Sequence, residues 1–352
     1  MSAAKQKTLA LQIVKSLHKA GFIAYFAGGC VRDLIMREQP KDYDVATTAK
    51  SEDIEKLFSK CVPVGKQFGV TIVVFQEHHF EVVTFRREGV YTDRRHPDEV
   101  AFTTPGEDAK RRDFTVNGLF YDPLKCKVID YVNGKEDIRK KCIRTIGEPE
   151  ARFEEDRLRL LRAVRFAANL GFTIERKTWA AIKRLRKKIH SVSQERIRDE
   201  LVKMFTRPHA GRGLELLSES GLLKEVLPEI ETMKGVEQPP EFHPEGDVFI
   251  HTKMLMDQLE NPSVVLAFGA LLHDVGKPAT FSDEGGRIHF YNHPSVGADI
   301  ARQMLARLRF SNREIEDIIS CVSNHMKFAN VKEMRIGKLK QFVARENFPI
   351  EL

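Results

Sequence analysis

The chain has 352 residues, more than one ordinary hydrophobic core accommodates, so two or three domains are expected. A 42% hydrophobic content suits globular folding, while no run is long and apolar enough to span a bilayer and no signal-peptide core opens the sequence. Membrane and exported classes are therefore not expected, and a reducing cytoplasm fits five cysteines (Cys30, Cys61, Cys126, Cys142, Cys321) that share no paired spacing for a disulfide framework or zinc knuckle. The net charge of +7 is unevenly spread: residues 151–210 hold 16 Lys and Arg against 7 Asp and Glu. Such a segment suits a polyanion, with binding that weakens as salt rises, or else is a solvated helical face.

In chain order, Leu9, Ile13, Val14 and Leu17 repeat at helical spacing over Thr8 to His18, and Gly21 is placed to stop that helix. A β-rich run, Ile23 to Phe26, then enters Gly28-Gly29, and an amphipathic stretch from Val31 to Met36 leaves it. Paired glycines permit a tight turn and close backbone approach, so this reads as a phosphate-binding strand, turn and helix start, with Arg32 available to neutralise phosphate. In an extended strand Asp42 and Asp44 share one face, with Tyr43 and Val45 on the other. Two adjacent carboxylates on a rigid strand repel each other, and a divalent cation between them is the usual reason for the pairing. Phosphates before a hard cation mean nucleotide chemistry.

Gly-Gly-x-x-Arg-Asp (28–33) followed by Asp-Tyr-Asp-Val-Ala-Thr (42–47) resembles the head of the class II tRNA nucleotidyltransferases and bacterial poly(A) polymerases, within the polymerase-beta-like nucleotidyltransferases. The resemblance extends over roughly residues 8 to 345. It implies an α+β fold: a head with a small mixed sheet over 1–147, a helical neck and body over 148–237 that binds base and RNA, and a helical HD-type domain over 238–352. It also implies Mg2+ as cofactor, CTP, ATP and the tRNA 3′ end as partners, and transfer of CMP and AMP to that end. An A-adding tRNA enzyme or a poly(A) polymerase is the alternative within the family. An HD-type phosphohydrolase is the alternative of another class. The oligomeric state is left open.

Downstream, Ser51-Glu52-Asp53 opens a short helix to Phe58, and Val70 to Phe75 with Phe80 to Phe85 read as a hairpin around Gln76 to His79. Glu81 is either a third carboxylate beside Asp42 and Asp44 or a plain exposed glutamate. Arg86 to Pro97 lacks a period and reads as a mobile loop, corresponding to a flexible loop of the family that helps switch nucleotides. Val64 to Thr71 is more like the tRNA enzymes than the polymerases. Asp108 to Asn117 resembles the family's second motif, which implies that Arg111, Arg112, Asp113 and Asn117 hold triphosphate and ribose; guanidinium groups suit that task by making forked bonds to phosphate oxygens. Asp130 to Asp137 is a capped glycine turn, placed in the family between head and neck.

Glu154 to Asn169 is expected as one long helix ending at Gly171, with Asp156, Arg159 and Arg162 stacked three apart on its polar side and Arg165 beyond. Cytosine and adenine each offer an exocyclic amine beside an unprotonated ring nitrogen. A carboxylate that accepts and a guanidinium that donates read that edge and reject uracil and guanine. Asp156 and Arg159 are such a pair, and Glu155-Asp156-x-x-Arg159 matches the family's amino-acid template; an intrahelical ion pair is the plainer reading. Lys183, Arg184, Arg186, Lys187 and Lys188 are either tRNA backbone contacts or solvated cations, and Ser191 to Glu200 opens a helix matching the family's last, structural motif. After a linker at Gln238-Pro239-Pro240 come His251, His273-Asp274, His293 and His325, the ligand pattern of HD phosphohydrolases and a candidate second divalent site for Mn, Fe, Ni or Mg. That pattern ordinarily ends in a further aspartate, expected just past Leu352, so the chain is expected either to be a fragment or to carry an incomplete, structural site.

Overall fold

The computed structural model describes residues 3–64, 69–88, 100–239, 246–327 and 334–344. Residues 65–68 of the 64–71 segment and most of the 86–97 loop lie outside them. The chain divides into two compact units, residues 1–159 with 173–181, and residues 160–172 with 182–352.

The first unit is built on a mixed seven-stranded sheet. Helix α1 (Ala3–Lys19) buries Leu9, Ile13, Val14 and Leu17, the stripe its sequence shows, and Gly21 at φ 87° turns the chain back. Strand β1 (Ala24–Ala27), helix α2 (Gly29–Ile35), strand β2 (Asp44–Thr47) and helix α3 (Ser51–Leu57) follow, then β3 (Cys61–Pro63), β4 (Val70–Phe75) and β5 (His78–Thr84). A short ribbon pairs β6 (Arg86–Glu88) with β7 (Val100–Phe102), and α4 (Pro105–Arg111) leads to β8 (Leu119–Asp122) and β9 (Lys127–Asp130). The order is β3-β4-β5-β2-β1-β8-β9, with β2 and β5 parallel and every other neighbour antiparallel. The β4–β5 turn is tighter than expected: Gln76 and Glu77 both have positive φ, as a two-residue hairpin loop matching the twist of its strands requires. Helix α5 (Gly134–Arg139), β10 (Cys142–Ile143), α6 (Pro149–Glu155) and β11 (Thr173–Ile174) complete this unit, β10 pairing with β11 in parallel; α7 (Arg159–Leu170) falls almost wholly in the second unit, and α8 (Arg176–Leu185) begins in the first and ends in the second.

The single helix expected over Glu154 to Asn169 is interrupted. Asp156 caps α6 at φ −138°, ψ 106°, its carboxylate accepts the Leu158 N–H at 3.1 Å, and α7 begins only at Arg159. An aspartate that bonds nearby backbone competes with the helical ladder, and Arg157 and Leu158 turn inward, 5% and 6% exposed. Asp156 therefore stands outside the helical register it was expected to share with Arg159 and Arg162.

The second unit is helical. Helices α9 (Gln194–Phe205), α10 (Ala210–Ser220), α11 (Leu222–Val226), α12 (Pro228–Glu231) and α13 (Val248–Gln258) precede α14 (Val264–Leu272), whose wholly apolar sequence packs against α9, α13 and α17. Helix α15 (Lys277–Thr280), a hairpin of β12 (Phe281–Asp283) and β13 (Ile288–Phe290), α16 (His293–Arg307), α17 (Asn312–Asn324) and α18 (Ile336–Val343) follow. The linker expected at 238–240 is pinned at its edges. Gln238 is 2% exposed and its N–H donates to the Gly246 carbonyl, and the Val248 N–H donates to Val236.

Gly134 marks the tightest close approach in the first unit: a Cβ there would lie 2.1 Å from the Thr115 carbonyl oxygen and 2.9 Å from its carbon. Backbone cannot yield as a side-chain tip does, so Gly134→Ala is expected to cost roughly 2–4 kcal/mol, measured as a fall in the urea midpoint at unchanged m-value.

Candidate active site and metal centres

Register brings three carboxylates together. Asp44 opens β2 opposite Ala27 of β1, and because Val45 pairs in parallel with Val82, Glu81 of β5 lies beside it. Asp42 precedes β2 instead of lying within it and is exposed, a correction to the single strand expected. Between the two aspartates Tyr43 is 3% exposed, its ring edge-on to Phe26 at 5.1 Å, and this buried anchor sends its neighbours the other way. Burial first, then the charges of Glu81 and Asp42, push the Asp44 carboxyl up to about 6, opposed by Arg112. A cavity of about 190 Å³ is lined by Asp44, Glu81, Arg86, Arg111 and Arg112. Oxygen donors that repel one another on a rigid sheet, with one held above its ordinary titration range, fit a hard divalent cation.

The cationic wall has its own foundation. Asp108, 1% exposed on α4, accepts from Arg111 Nε at 2.8 Å and Arg112 Nε at 3.1 Å, and also from the Arg86 N–H at 3.2 Å. Burial opposes its charge, but Arg112 and Arg111 outweigh that and hold it below the usual carboxylate range. Sequence reasoning missed this residue, although an acid three and four places before two arginines on a helix is a readable signal. Arg112 also lies over the Phe120 ring, 5.0 Å from its centroid, and a Cβ at Gly28 (φ 73°) would meet Arg112 Nη1 at 3.2 Å. The glycine thus gives the arginine room as well as the turn. Beside it, Arg32 donates to Asn117 Oδ1 at 2.8 Å and to Asp33, and Asn117 Nδ2 donates to Asp113 Oδ1 at 3.4 Å. Gly29 stands next to the Arg32 guanidinium.

The segment around Asp156 is tied to that wall. Arg159, 7% exposed, donates through Nη1 to Glu155 Oε2 at 2.7 Å and to the Arg152 carbonyl at 2.9 Å. Arg152 pairs with Glu155 and donates through Nη2 to the backbone carbonyls of Arg111 and Arg112, the latter at 2.9 Å. In the second unit, Arg165 and Arg162 face the buried Glu200 at 2.5 and 3.7 Å and both lie over Phe166. Of the basic cluster, Arg186 approaches Glu225 at 3.9 Å, and a cavity of about 600 Å³ there mixes Lys183, Arg186 and Lys187 with Glu219, Glu225 and Glu231.

The five HD-pattern residues converge in two overlapping groups, His251, His273 and Asp274, and Asp274, His293 and His325. Helix α14 stops at Leu272, so His273 and Asp274 leave its C-terminal end instead of lying on it. Asp274 Oδ2 is 3.0 Å from His273 Nε2, Asp274 Oδ1 is 3.5 Å from His293 Nε2, and the His293 and His325 Nε2 atoms are 3.2 Å apart. Burial, followed by the charge of His273, brings His325 down to about 4, and burial lowers His293; both rings are neutral at pH 7, as ligation requires. Lys277, 5% exposed, places its ammonium 2.8 Å from Asp274 Oδ2, and burial of that acid is outweighed by His273 and Lys277. Two neutral imidazoles, His293 and His325, beside an ionised carboxylate fit a borderline divalent ion, which would compete with Lys277 and with the proton on His273, whose own value, despite its burial, Asp274 raises.

The fold and these sites define a nucleotidyltransferase head joined to an HD-bearing helical region, and comparison with known proteins makes this specific. The chain matches, in succession, the families described as Poly A polymerase head domain (residues 24–144), probable RNA and SrmB-binding site of polymerase A (171–234) and HD domain (247–346). In this succession of matches it is similar to the class II tRNA nucleotidyltransferases and bacterial poly(A) polymerases. The CCA-adding enzyme of Lactobacillus helveticus (strain DPC 4571) is 42% identical over 218 residues, 62% of this chain and 54% of the relative. That of Oceanobacillus iheyensis is 39% identical over 261 residues, 74% of this chain and 62% of the relative, so the chain spans little more than half the length of these curated relatives. The crystal structure of Bacillus stearothermophilus CCA-adding enzyme in complex with CTP is similar at a TM-score of 0.76 and 29% identity, covering 98% of this chain and 76% of that one. Thermotoga maritima CCA-adding enzyme complexed with tRNA shares the fold at a TM-score of 0.60 and 18% identity, covering 98% and 77%.

The Asp44 carboxyl lies above its ordinary value in the folded chain, so the penalty of its charge grows as pH rises from about 4 to about 6, is complete above that, and is absent below both values. In EDTA at pH 7.5, Asp44→Asn is expected to be more stable than the parent by about 2 kcal/mol, the gap closing as pH falls from 6 towards 4. Magnesium should raise the melting temperature of the parent and leave that of the variant unmoved; calorimetry across pH, with and without Mg2+, reads both effects.

Proposed function

We propose that this protein adds CMP and AMP, from CTP and ATP, to the 3′ end of tRNA without a nucleic-acid template. The observation that carries the reading is one cleft in which Asp44 and Glu81 face Arg111 and Arg112, with Asp42 close enough to act on Asp44. CCA-adding relatives at about 40% identity favour tRNA over poly(A) addition. The reading divides the chain into a head (1–147), a base- and RNA-binding neck and body (148–237) and an HD-type domain (238–352).

In this mechanism, a two-metal one with release of pyrophosphate, Asp42 and Asp44, with Glu81 beside them, would hold two Mg2+ ions. When bound, the metal supplies acidification of the 3′ hydroxyl and charge neutralisation on the departing pyrophosphate. Arg111 and Arg112 grip the triphosphate through forked hydrogen bonds from a position Asp108 fixes. Arg32, Asp113 and Asn117 form a connected polar row suited to ribose and phosphate, and Gly28 and Gly29 let backbone approach closely. Asp156 accepts from the exocyclic amine of cytosine or adenine and Arg159 donates to the neighbouring ring nitrogen; in the second unit Arg162 and Arg165, aligned by Glu200, are further nucleotide-binding residues. Lys183, Arg184, Arg186, Lys187 and Lys188 contact the acceptor's phosphates, an interaction that should fade as salt rises. Divalent-metal dependence goes with the family, and a reducing cytoplasm suits five cysteines that form no disulfide with one another. No helix among the described residues is long and apolar enough to cross a membrane.

The convergence of His251, His273, Asp274, His293 and His325 supports a second divalent ion in the HD-type domain. Protein loaded with Mn2+ or Ni2+ and desalted is expected to keep about one ion per chain by elemental analysis, and His293→Ala to lose it. Retention by the variant would remove this site.

Incubation with tRNA lacking its tail and each labelled triphosphate tests the main reading. C followed by A is expected, and long A tracts would instead assign poly(A) synthesis. Asp42→Ala should lower incorporation under Mg2+ by at least about 10³-fold; undiminished incorporation would rule out the metal-holding role.

A further inference from the structure

The base-reading pair and the triphosphate grip lie on separate elements, and transfer demands that they hold one nucleotide in register. Misplacement by about 1 Å at a reacting centre is enough to cost of the order of 10²-fold in rate. Arg152 sits where that register is set. Its side chain on α6 is 12% exposed, and its guanidinium engages three acceptors of two kinds: the backbone carbonyls of Arg111 and Arg112 on one side and the carboxylate of Glu155 on the other. Glu155 Oε2 in turn accepts from Arg159 Nη1, and the same Nη1 donates to Arg152's own carbonyl. Arg152 therefore touches both the residues that grip phosphate and those that orient the base-reading guanidinium. A planar fork with fixed donor directions suits this double duty, and a lysine ammonium does not reproduce it.

Resting on the proposed nucleotide transfer, we propose that Arg152 is a positioning residue for base selection, locking the Asp156–Arg159 edge at a set distance from the Arg111–Arg112 clamp. A binding site for cytosine then exists as a rigid spacing and not only as two side chains. The physical alternative is that Arg152 merely fastens α6 to the first unit. The two differ in what they do to nucleotides. Loss of a fastening lowers the amount of active protein and reduces all nucleotides alike, whereas loss of register selectively removes the advantage of the correct base.

Equilibrium titration with CTP and with UTP in Mg2+ needs no acceptor and so reads Arg152 independently of the tRNA assay. The unaltered protein is expected to prefer CTP, and Arg152→Gln to lower that preference, the Kd for UTP divided by the Kd for CTP, roughly tenfold, with Arg152→Lys in between. The same narrowing should appear in the kcat/KM ratio for C against U on tRNA lacking its tail. An unchanged ratio in Arg152→Gln, whether or not its melting temperature falls, overturns the proposal, as does an unaltered protein that binds CTP and UTP equally. If nucleotide binding discriminates as described but no residue is added to tRNA, the functional reading fails and the role of Arg152 in base selection stands.

Discussion

Electrostatic repulsion among Asp42, Asp44 and Glu81 is the constraint around which the first unit is arranged. Strand pairing fixes Asp44 beside Glu81, and the buried Tyr43 ring fixes the direction in which Asp42 and Asp44 leave the chain. Asp44 cannot retreat without breaking sheet register. The cost is borne by Asp44, whose carboxyl is pushed up to about 6. Such tension is sustained because β2 is central in a seven-stranded sheet, between β1 and β5, where the backbone is held on both sides.

The opposing cations are ordered by the same logic with the signs reversed. Arg111 and Arg112 would be free to fan outward from the end of α4 were it not for Asp108, which is almost wholly buried and satisfied by both guanidinium groups and a backbone N–H. That N–H belongs to Arg86, the first residue of β6, so one carboxylate joins Arg111 and Arg112 to the chain segment leaving the sheet. The result is a cleft with an anionic floor and a cationic wall, each preorganised by residues that do not themselves face its centre.

Much of this was legible in the sequence because it is carried by local signals. The stripe of α1, the paired glycines, the strand that Asp44 opens and the hairpin of β4 and β5 all depend on neighbours within a few positions. The histidines and Asp274 could be grouped by residue type, and the fold brings them together from the ends of separate helices. What was misread depends on competition. Residues 154–169 carry helical periodicity throughout, yet the Asp156 carboxylate takes the Leu158 N–H and breaks the helix, a preference that period counting does not register. Asp108 went unnoticed although its spacing to Arg111 and Arg112 was readable, whereas Arg152 acts largely on backbone carbonyls, which every residue possesses and no sequence pattern distinguishes.

The position of Lys277 has a consequence for how the helical unit holds together. Its ammonium, covalently fixed one turn from Asp274 and packed over the Phe290 ring, already neutralises the buried acid. The folded helices consequently carry their own counter-ion and owe no debt of stability to an external one. Loading a metal there becomes a substitution reaction, in which an incoming ion displaces a tethered cation, and its apparent affinity reports the difference between two partners for one carboxylate.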